Sequence, residues 1–296
     1  MGHRGQPYDK TQRLQQALYC RLKAHEEDGT LPTSVRFLFY ELEGTSDEYG
    51  ILVSKEKKGA RRPDQDVIAA LTILREQGMI PWDWIVDETR HVTDMTCSRT
   101  VMDSVEQVLK YARIDPWQYA GTRPVVVCES RSLSGVLSAT CSEYGVNIAA
   151  TNGQCAGFLR TKLAGVLNAQ PSDQRISVLY CGDLDPQGED IECNTRSVLR
   201  TCITHGVTTG YISQDVFDWE RLMLTAEQVE EHTLSSIIKS DKRKNHGAPY
   251  EAWECESLSQ KLIVTLLEER LKDMLLPTTL DFINTEADKQ RESIKL

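Results

Sequence analysis

The sequence lacks several features that would assign it to a common class of protein. No apolar run approaches the roughly 20 residues needed to span a bilayer, and the segment after Met1 lacks the apolar core of a secretory signal. No Gly-x-x-x-x-Gly-Lys-Ser/Thr loop is present, so the chain has no P-loop for ATP. We therefore expect no membrane segment and no ATPase activity.

Cysteine is present, but not in the patterns of metal sites or disulfide frameworks. The nine cysteines are an odd number, and no two are closer than Cys193 and Cys202, so Cys-x-x-Cys pairs are absent. This spacing predicts mostly buried free thiols in a reducing cytoplasm. The hydrophobic content of 40% is typical of a folded protein of one large or two smaller domains.

The sequence also lacks the positive net charge that many nucleic-acid-binding proteins have. The formal net charge is -10, but basic residues cluster between Lys55 and Arg62 and again between Lys239 and Lys244. Such clusters are usually solvated surface, although a local patch can bind phosphate on an acidic protein. The overall charge therefore does not decide whether the partner is a nucleic acid.

The segment from Val178 to Ile191 combines an apolar strand with two acidic residues. Val178 to Cys181 is typical of a buried parallel strand, and Asp183 and Asp185 follow it directly. A helix is predicted from about Glu189 to His205. Ligands of open α/β sheets bind at the carboxyl ends of strands, where two carboxylates would suit Mg²⁺. The alternative is that one aspartate caps the helix and the other is solvated.

An earlier apolar strand ends in the same way, at Glu129. Strands alternate with predicted helices from there onward, and a further strand is expected near Val207 to Ile212. This alternation predicts an α/β fold with a parallel sheet covered on both faces. Glu129, Asp183 and Asp185 would then lie at one edge of the sheet and form an acidic triad.

Three helices and a β-ribbon are predicted in the first part of the chain. The helices extend from Tyr8 to about Glu27, from Thr33 or Ser34 to about Glu43, and from Asp64 to Gln77. The alternation of Ile80-Pro-Trp-Asp-Trp-Ile-Val predicts a strand after them. This order is typical of a winged helix, a helix-turn-helix variant common in DNA-binding proteins.

The second of these helices has two distinct faces. The apolar face, which we predict to be buried, consists of Val35, Leu38, Phe39 and Leu42. Arg36 and Tyr40 lie four residues apart on another face. Arginine can hold a phosphate through two hydrogen bonds, and a phenol one turn away can attack it. The alternative is an amphipathic tyrosine at the rim of a helix.

These residues together resemble a known family. Glu after one strand and Asp-x-Asp-x-x-Gly after a later one resemble the Toprim domain of topoisomerases, primases and some nucleases. Residues 36–40, Arg-Phe-Leu-Phe-Tyr, resemble the Arg-Asp-Ile-Tyr-Tyr element of the topoisomerase VI A subunit and of its relative that makes meiotic double-strand breaks. Residues 185–191 resemble its Asp-Pro-x-Gly-x-x-Ile. The resemblance covers about residues 30–210, and short orphan proteins called Mini-A are the most similar members.

Three positions depart from the family pattern. Phe37 stands where the family has an acidic residue, Ser130 replaces the usual lysine after the glutamate, and Cys155 replaces a common proline. The acidic triad is unaffected by these changes. They concern how the DNA backbone would be held.

The resemblance implies a two-domain α/β protein. Residues 1–116 would form a winged-helix domain that carries the tyrosine, and residues 122–296 a Toprim domain, with its Rossmann-like parallel sheet, followed by C-terminal helices. The implied activity is that of a type IIB DNA topoisomerase A-subunit-like enzyme, which makes double-strand breaks with 5′-phosphotyrosyl ends. Tyr40 is the implied nucleophile and Arg36 assists it. Arg90 ends a segment at the position of the family's Ser-Arg-Gly near the active site, and its implied catalytic role is to add positive charge there.

Cofactor and partners are also implied by the resemblance. The Mg²⁺ ligands would be Glu129, Asp183 and Asp185, and the backbone of double-stranded DNA would be held by Lys57, Lys58, Arg61 and Arg62. A homodimer would join Tyr40 of one subunit to the Mg²⁺ of the other and cut both strands. ATP-driven strand passage would need a separate B-type ATPase subunit.

Other functions remain open alternatives. A hydrolytic Toprim nuclease, of mobile-element or defence type, would use the acids and metal-bound water without a tyrosine. A catalytically silent DNA-binding subunit would need neither. A primase would need a nucleotide site, for which the sequence gives no signal.

The last part of the chain is predicted to be helical and carries less information. A helix is expected after Thr225 and a strongly periodic one from Leu258 to Leu275. We predict surface positions for Glu251, Glu254 and Glu256, with a supporting role near the site as the alternative. Residues after about Asp281 are predicted to form a charged, frayed tail.

Overall fold

The first part of the chain is helical, as predicted. The computed structural model describes residues 6–47, 49–55, 64–86, 97–170, 174–203, 217–240 and 247–294. Its first elements are α1 (Gln6–Asp28), α2 (Val35–Leu42), β1 (Ser46–Asp47), β2 (Gly50–Ile51) and α3 (Gln65–Glu76). Ser34 caps α2, because its hydroxyl oxygen accepts a hydrogen bond from the Phe37 backbone N–H. β1 and β2 pair in an antiparallel ribbon between α2 and α3.

The strand predicted over residues 80–86 is wrong. Residues Trp82–Trp84 form a turn of 3₁₀ helix, and Ile85 makes only an isolated bridge with Thr33. Pro81 has no backbone N–H to give to a ladder. The aromatic and aliphatic residues also do not alternate in burial, since Ile80 and Ile85 are buried on either side of an exposed Trp82.

A four-stranded parallel sheet follows α4 (Val101–Tyr111), which confirms the α/β class. The strands are β3 (Thr122–Cys128), β4 (Asn147–Ala150), β5 (Arg175–Cys181) and β6 (Phe217–Met223), in the spatial order β4-β3-β5-β6. β3 and β5 are central and pair in register from Thr122 and Arg175 to Cys128 and Cys181. The chain therefore leaves both strands at the same edge of the sheet. The strand expected over residues 207–212 lies outside the described residues.

Helices cover both faces of this sheet, as the alternation of strands and helices predicts. One face packs on α5 (Arg131–Glu143) and α10 (Gln260–Met274), and buries side chains such as Val126 and Leu179. The other packs on α7 (Ala164–Asn168), which follows α6 (Ala156–Phe158) and a π-helical turn, and on α8 (Pro186–Cys202). Val125 and Val178 are buried there. Neighbouring residues of a strand thus enter opposite cores.

The C-terminal part holds a hairpin and a helix that the sequence did not reveal. After α9 (Ala226–Glu231), β7 (Ile237–Ser240) pairs with β8 (Pro249–Ala252) in an antiparallel hairpin. The prediction of a frayed tail after residue 281 is wrong, since α11 extends over Thr279–Ile294. Ile283 and Ala287, one turn apart, are buried by it, so a short apolar stripe anchors an otherwise charged helix.

α2 joins the helical part to the sheet. Leu38 and Phe39 are buried among α1 and α3, whereas Phe37 is fully buried in the core of the sheet with Trp117 and Leu133. The predicted buried face of α2 therefore lacked Phe37, and Val35, which it included, is only partly buried. An acidic side chain at position 37 would be buried among apolar groups. The division predicted between residues 116 and 122 stays a prediction. None of the described helices is long and apolar enough to cross a membrane.

Candidate active site at the carboxyl edge of the sheet

The three predicted acids lie together at the carboxyl edge of β3 and β5. Glu129 follows β3, and its Oε2 accepts a hydrogen bond from the backbone N–H of Asp183, 3.1 Å away. Asp183 and Asp185 follow β5 and precede α8. The edge holds carboxylates because two central strands end in register and both lead into an acidic segment.

The two aspartates have different roles in the local structure. Asp185 caps α8, because its Oδ1 accepts hydrogen bonds from the backbone N–H groups of Gln187 (2.9 Å) and Gly188 (2.8 Å). Asp183 is largely buried, and its Oδ1 accepts from the Cys255 backbone N–H at 2.9 Å. The alternative of one capping and one solvated aspartate is thus confirmed for the cap and wrong for the other residue.

Gly188 allows α8 to begin this close to the acids. A Cβ atom at this position would lie 2.4 Å from the carbonyl oxygen of Asp183 and 3.4 Å from Glu129 Oε2. The first distance is well inside van der Waals contact with a backbone atom, so any other residue would force the strand and the helix apart. Glycine is therefore required for steric reasons at the last position of the Asp-Pro-Gln-Gly sequence.

Two further carboxylates, Glu254 and Glu256, belong to the site, which agrees with the alternative rather than with the predicted surface position. Arg36 Nη2 donates to Glu254 Oε2 at 3.1 Å, and its Nε lies 3.4 Å from Glu256 Oε1. Glu256 Oε1 also accepts from the Ser130 hydroxyl at 2.7 Å, and the residue is only 1% exposed. The predicted surface position is wrong for Glu254 and Glu256, whereas Glu251 is exposed.

The β7–β8 hairpin brings these residues to the sheet. Just after β8, Trp253 exchanges two backbone hydrogen bonds with Leu184, of 2.9 and 3.1 Å. This short antiparallel bridge places residues 254–256 beside the loop that carries the aspartates. Because its partners are far apart in the chain, no local periodicity could have indicated it.

We call the cluster of Glu129, Asp183, Asp185, Glu254 and Glu256 the acidic centre. A lysine of the same hairpin contacts this centre. Lys239 Nζ donates to Asp185 Oδ2 at 2.9 Å, and lies 3.3 Å from Glu254 Oε1 and 3.9 Å from Asp183 Oδ2. Lys239 belongs to a cluster of basic residues for which solvated surface was the usual interpretation, but its ammonium lies among three carboxylates.

The crowding of acids shifts the pKa of several groups. Burial, and then the negative charge of Asp183, raises the pKa of Glu129 to about 7. Burial and the charge of Glu256 raise the pKa of Asp183. For Arg36, burial lowers the pKa, but the carboxylates of Glu256 and Glu254 outweigh it and the pKa is raised overall. The guanidinium therefore stays positively charged.

A pocket of about 150 Å³ opens between these groups. Its polar and small lining residues include Arg36, Glu129, Ser130, Asn152, Gly153 and Asp183. It is roomy enough for a few waters or a hydrated ion, each water needing about 30 Å³. The arginine predicted to hold a phosphate thus shares one pocket with two of the predicted metal ligands.

The acids suit Mg²⁺ in chemistry, although they do not form a preformed cage. Within the part of the chain that the structure describes, no three His, Cys, Asp or Glu side chains are grouped as a ready metal site. Oδ1 of each aspartate is used by backbone N–H groups, while Oδ2 of both faces the Lys239 ammonium. A cation is thus already attracted to the place where hard oxygen ligands would hold Mg²⁺.

Tyr40 lies outside this pocket, one helical turn beyond Arg36. Four residues of α-helix correspond to about 6 Å along the axis. The Tyr40 ring is half-buried, meets Phe39 edge-on with a centroid distance of 5.4 Å, and has Lys55 Nζ 4.6 Å from its centroid. A phenol at the rim of a helix was the simpler alternative, and these contacts agree with that geometry.

The remaining predicted site residues lie outside the described part of the chain. These are Arg90 and the four basic residues Lys57, Lys58, Arg61 and Arg62. Comparisons with protein-family models, with curated proteins and with solved structures found no match to this chain.

Proposed function

We propose that this protein cleaves double-stranded DNA by transesterification, with Tyr40 as the nucleophile and an acidic centre that holds Mg²⁺. One observation carries the proposal: Arg36, on the same helix as Tyr40, lines the pocket that Glu129 and Asp183 also line. The cation proposed to bind phosphate and two of the three proposed metal ligands therefore line a single space. In this proposal the helical part is a winged helix and the sheet belongs to a Toprim domain.

The proposed step exchanges one phosphoester for another. The Tyr40 oxygen attacks the phosphorus, the bond from phosphorus to the 3′ oxygen breaks, and the phenol proton is lost to solvent or to a base. The leaving 3′ oxygen takes up a proton from water. The products are a 5′-phosphotyrosine and a free 3′ hydroxyl, so the reverse attack can rejoin the strand. Arg36 neutralises charge on the phosphoryl oxygens. Bound Mg²⁺ at Glu129, Asp183 and Asp185 would stabilise the leaving oxygen.

Cleavage of both strands requires two such sites, so we propose a homodimer. The resemblance implies that each tyrosine serves the acids of the other subunit. Arg36, however, contacts Glu254 and Glu256 of its own chain, which favours a site completed within one subunit. Relaxation coupled to ATP would need a separate B-type ATPase.

The substitution Tyr40→Phe tests the nucleophile. It keeps the ring and its packing, so the variant should fold while forming no covalent adduct. Supercoiled plasmid is incubated with Mg²⁺, quenched with denaturant and analysed with and without protease. The wild type should yield linear DNA with protein on the 5′ ends, and Tyr40→Phe should yield none. Tyr19→Phe, a half-buried tyrosine of the same core, is the matched control and should cleave normally.

A hydrolytic nuclease is the second candidate, because Tyr40 is not among the described residues that line the pocket. The same assay separates the two functions. Protein-free cleaved ends from Tyr40→Phe, together with no cleavage by Asp183→Asn, would establish hydrolysis. A wild-type protein that binds DNA but never cuts it with Mg²⁺ would favour the silent subunit.

A further inference from the structure

We propose that Lys239 is an intramolecular cation that balances the charge of Asp183 and Asp185 until a divalent ion displaces it. This inference rests on the proposed metal site and adds a regulatory step to it. In the metal-free protein the ammonium balances the aspartates. On metal binding, the lysine leaves.

The position of the ammonium supports an exchange. Oδ2 of Asp185 is the oxygen that the helix cap leaves available, and Lys239 Nζ lies 2.9 Å from it. Oδ2 of Asp183 is 3.9 Å from the same nitrogen. An ion that joined these two oxygens would therefore lie in or beside the space that the ammonium fills.

Charge makes simultaneous occupancy unfavourable. Mg²⁺ binds carboxylate oxygens at about 2.1 Å, so it would lie within a few ångströms of the ammonium. Two positive charges so close in a partly buried site repel strongly. Asp185, whose side chain is only 3% exposed, still needs a positive partner when no metal is bound. Binding of either Lys239 or the metal ion, but not both, avoids the repulsion and leaves Asp185 with a positive partner.

The lysine is built so that it can leave. Its side chain is 28% exposed, and lysine carries its charge on a flexible four-carbon stem. Glu254, which also attracts the ammonium, remains paired with Arg36 when Lys239 departs.

The experiment measures metal affinity without DNA or catalysis. Mn²⁺ is titrated into the wild-type protein, Lys239→Met and the control Lys261→Met. The control removes an exposed lysine that is paired with Asp28. Free Mn²⁺ is followed by electron paramagnetic resonance. We expect Lys239→Met to bind Mn²⁺ about tenfold more tightly or better, because the competing charge is gone. Lys261→Met should match the wild type, and Asp183→Asn should lose binding.

The outcomes separate this inference from the proposed function. Binding that Asp183→Asn abolishes but Lys239→Met leaves unchanged or weakens would support the metal site and overturn the exchange. Absence of Mn²⁺ binding in every protein would overturn both. Thermal unfolding checks that the variants are folded. In EDTA, Lys239→Met should unfold at a lower temperature than the wild type. Added Mn²⁺ should raise the unfolding midpoint of Lys239→Met by more than it raises that of the wild type. Lys239→Gln serves if the methionine variant does not fold.

Discussion

The helical core and the acidic centre meet on the same helix, α2, but are stabilised in opposite ways. The helical core is almost wholly apolar, with α1, α2 and α3 burying leucines, valines and Phe39. The acidic centre brings together five described carboxylates, Glu129, Asp183, Asp185, Glu254 and Glu256, with the two cations Arg36 and Lys239. Apolar packing is non-directional and tolerates repacking. Buried charges depend on each partner, so a single loss is costly.

This difference indicates where the function lies. A protein that needed only stability would gain little from buried carboxylates, because well-packed apolar groups usually serve as well. Among the described residues at this edge of the sheet, the carboxylates outnumber the cations, so the site attracts further positive charge. Arg36 and Lys239 balance part of this negative charge, and in the proposed function a metal ion with a DNA phosphate would use the rest of the pocket.

The largest expected effect is a loss of cleavage, and it tests whether Tyr40 and Asp183 of the same chain form one site. Tyr40→Phe and Asp183→Asn subunits carrying different tags are co-expressed, and the mixed dimer is purified through both tags. Each homodimer should lose at least about a thousandfold in cleavage. Since Arg36 lies at the acids of its own chain, we expect the mixed dimer to be equally inactive.

Nicked plasmid with protein on the 5′ end, made by the mixed dimer, would contradict this expectation. One intact site would then have formed from Tyr40 of one subunit and Asp183 of the other, as the resemblance implies. A mixed dimer of wild-type and Tyr40→Phe subunits, purified through both tags, is the control, and it should nick whichever arrangement is correct.

A smaller effect, about 3 to 5 kcal/mol, is expected from removing either buried phenylalanine of α2. Phe37→Ala opens the core of the sheet, and Phe39→Ala opens the helical core. Urea unfolding should show similar losses in the free energy of unfolding. At a temperature where both variants are folded, Phe37→Ala should lose more cleavage, because Phe37 fixes Arg36 against the acids. Equal cleavage would mean that the contact of α2 with the sheet is not needed.

The smallest effect is a pH dependence from Glu129. Its pKa is raised from 4.5 to about 7, so the folded protein binds more protons than the unfolded chain within this window. The stability contributed by the protonated group is complete below 4.5 and is lost as the pH rises through 7. Glu129→Gln stays neutral, so its free energy of unfolding should rise relative to the wild type by at most about 3 kcal/mol across that window.

Urea unfolding in EDTA at pH 4.5 and about pH 7.5 checks this expectation. Glu251→Gln, which alters an exposed carboxylate of β8, should leave the difference between the two pH values as in the wild type. If the free energy of unfolding of Glu129→Gln changed with pH in parallel with that of the wild type, burial would not raise the pKa of the Glu129 carboxyl.

Much of the fold could be predicted because its causes are local. Strand and helix periods and the caps at Ser34 and Thr225 depend on residues within a turn or two of each other. Glu129 and Asp183 were found for the same reason, since each comes after an apolar strand. The strand predicted near Trp82 failed because a proline and uneven burial outweighed the alternation.

By itself, the sequence determined the α/β class, most of the helices other than α11, and the meeting of the three acids. The acids meet because parallel strands in register place the residues after them at one edge of the sheet. Only the tertiary structure decided that Glu254, Glu256 and Lys239 join those acids and that Phe37 is buried in the sheet core. These contacts depend on the bridge between Leu184 and Trp253 and on the packing of α2. Both connect residues far apart in the chain, where neither periodicity nor capping carries information.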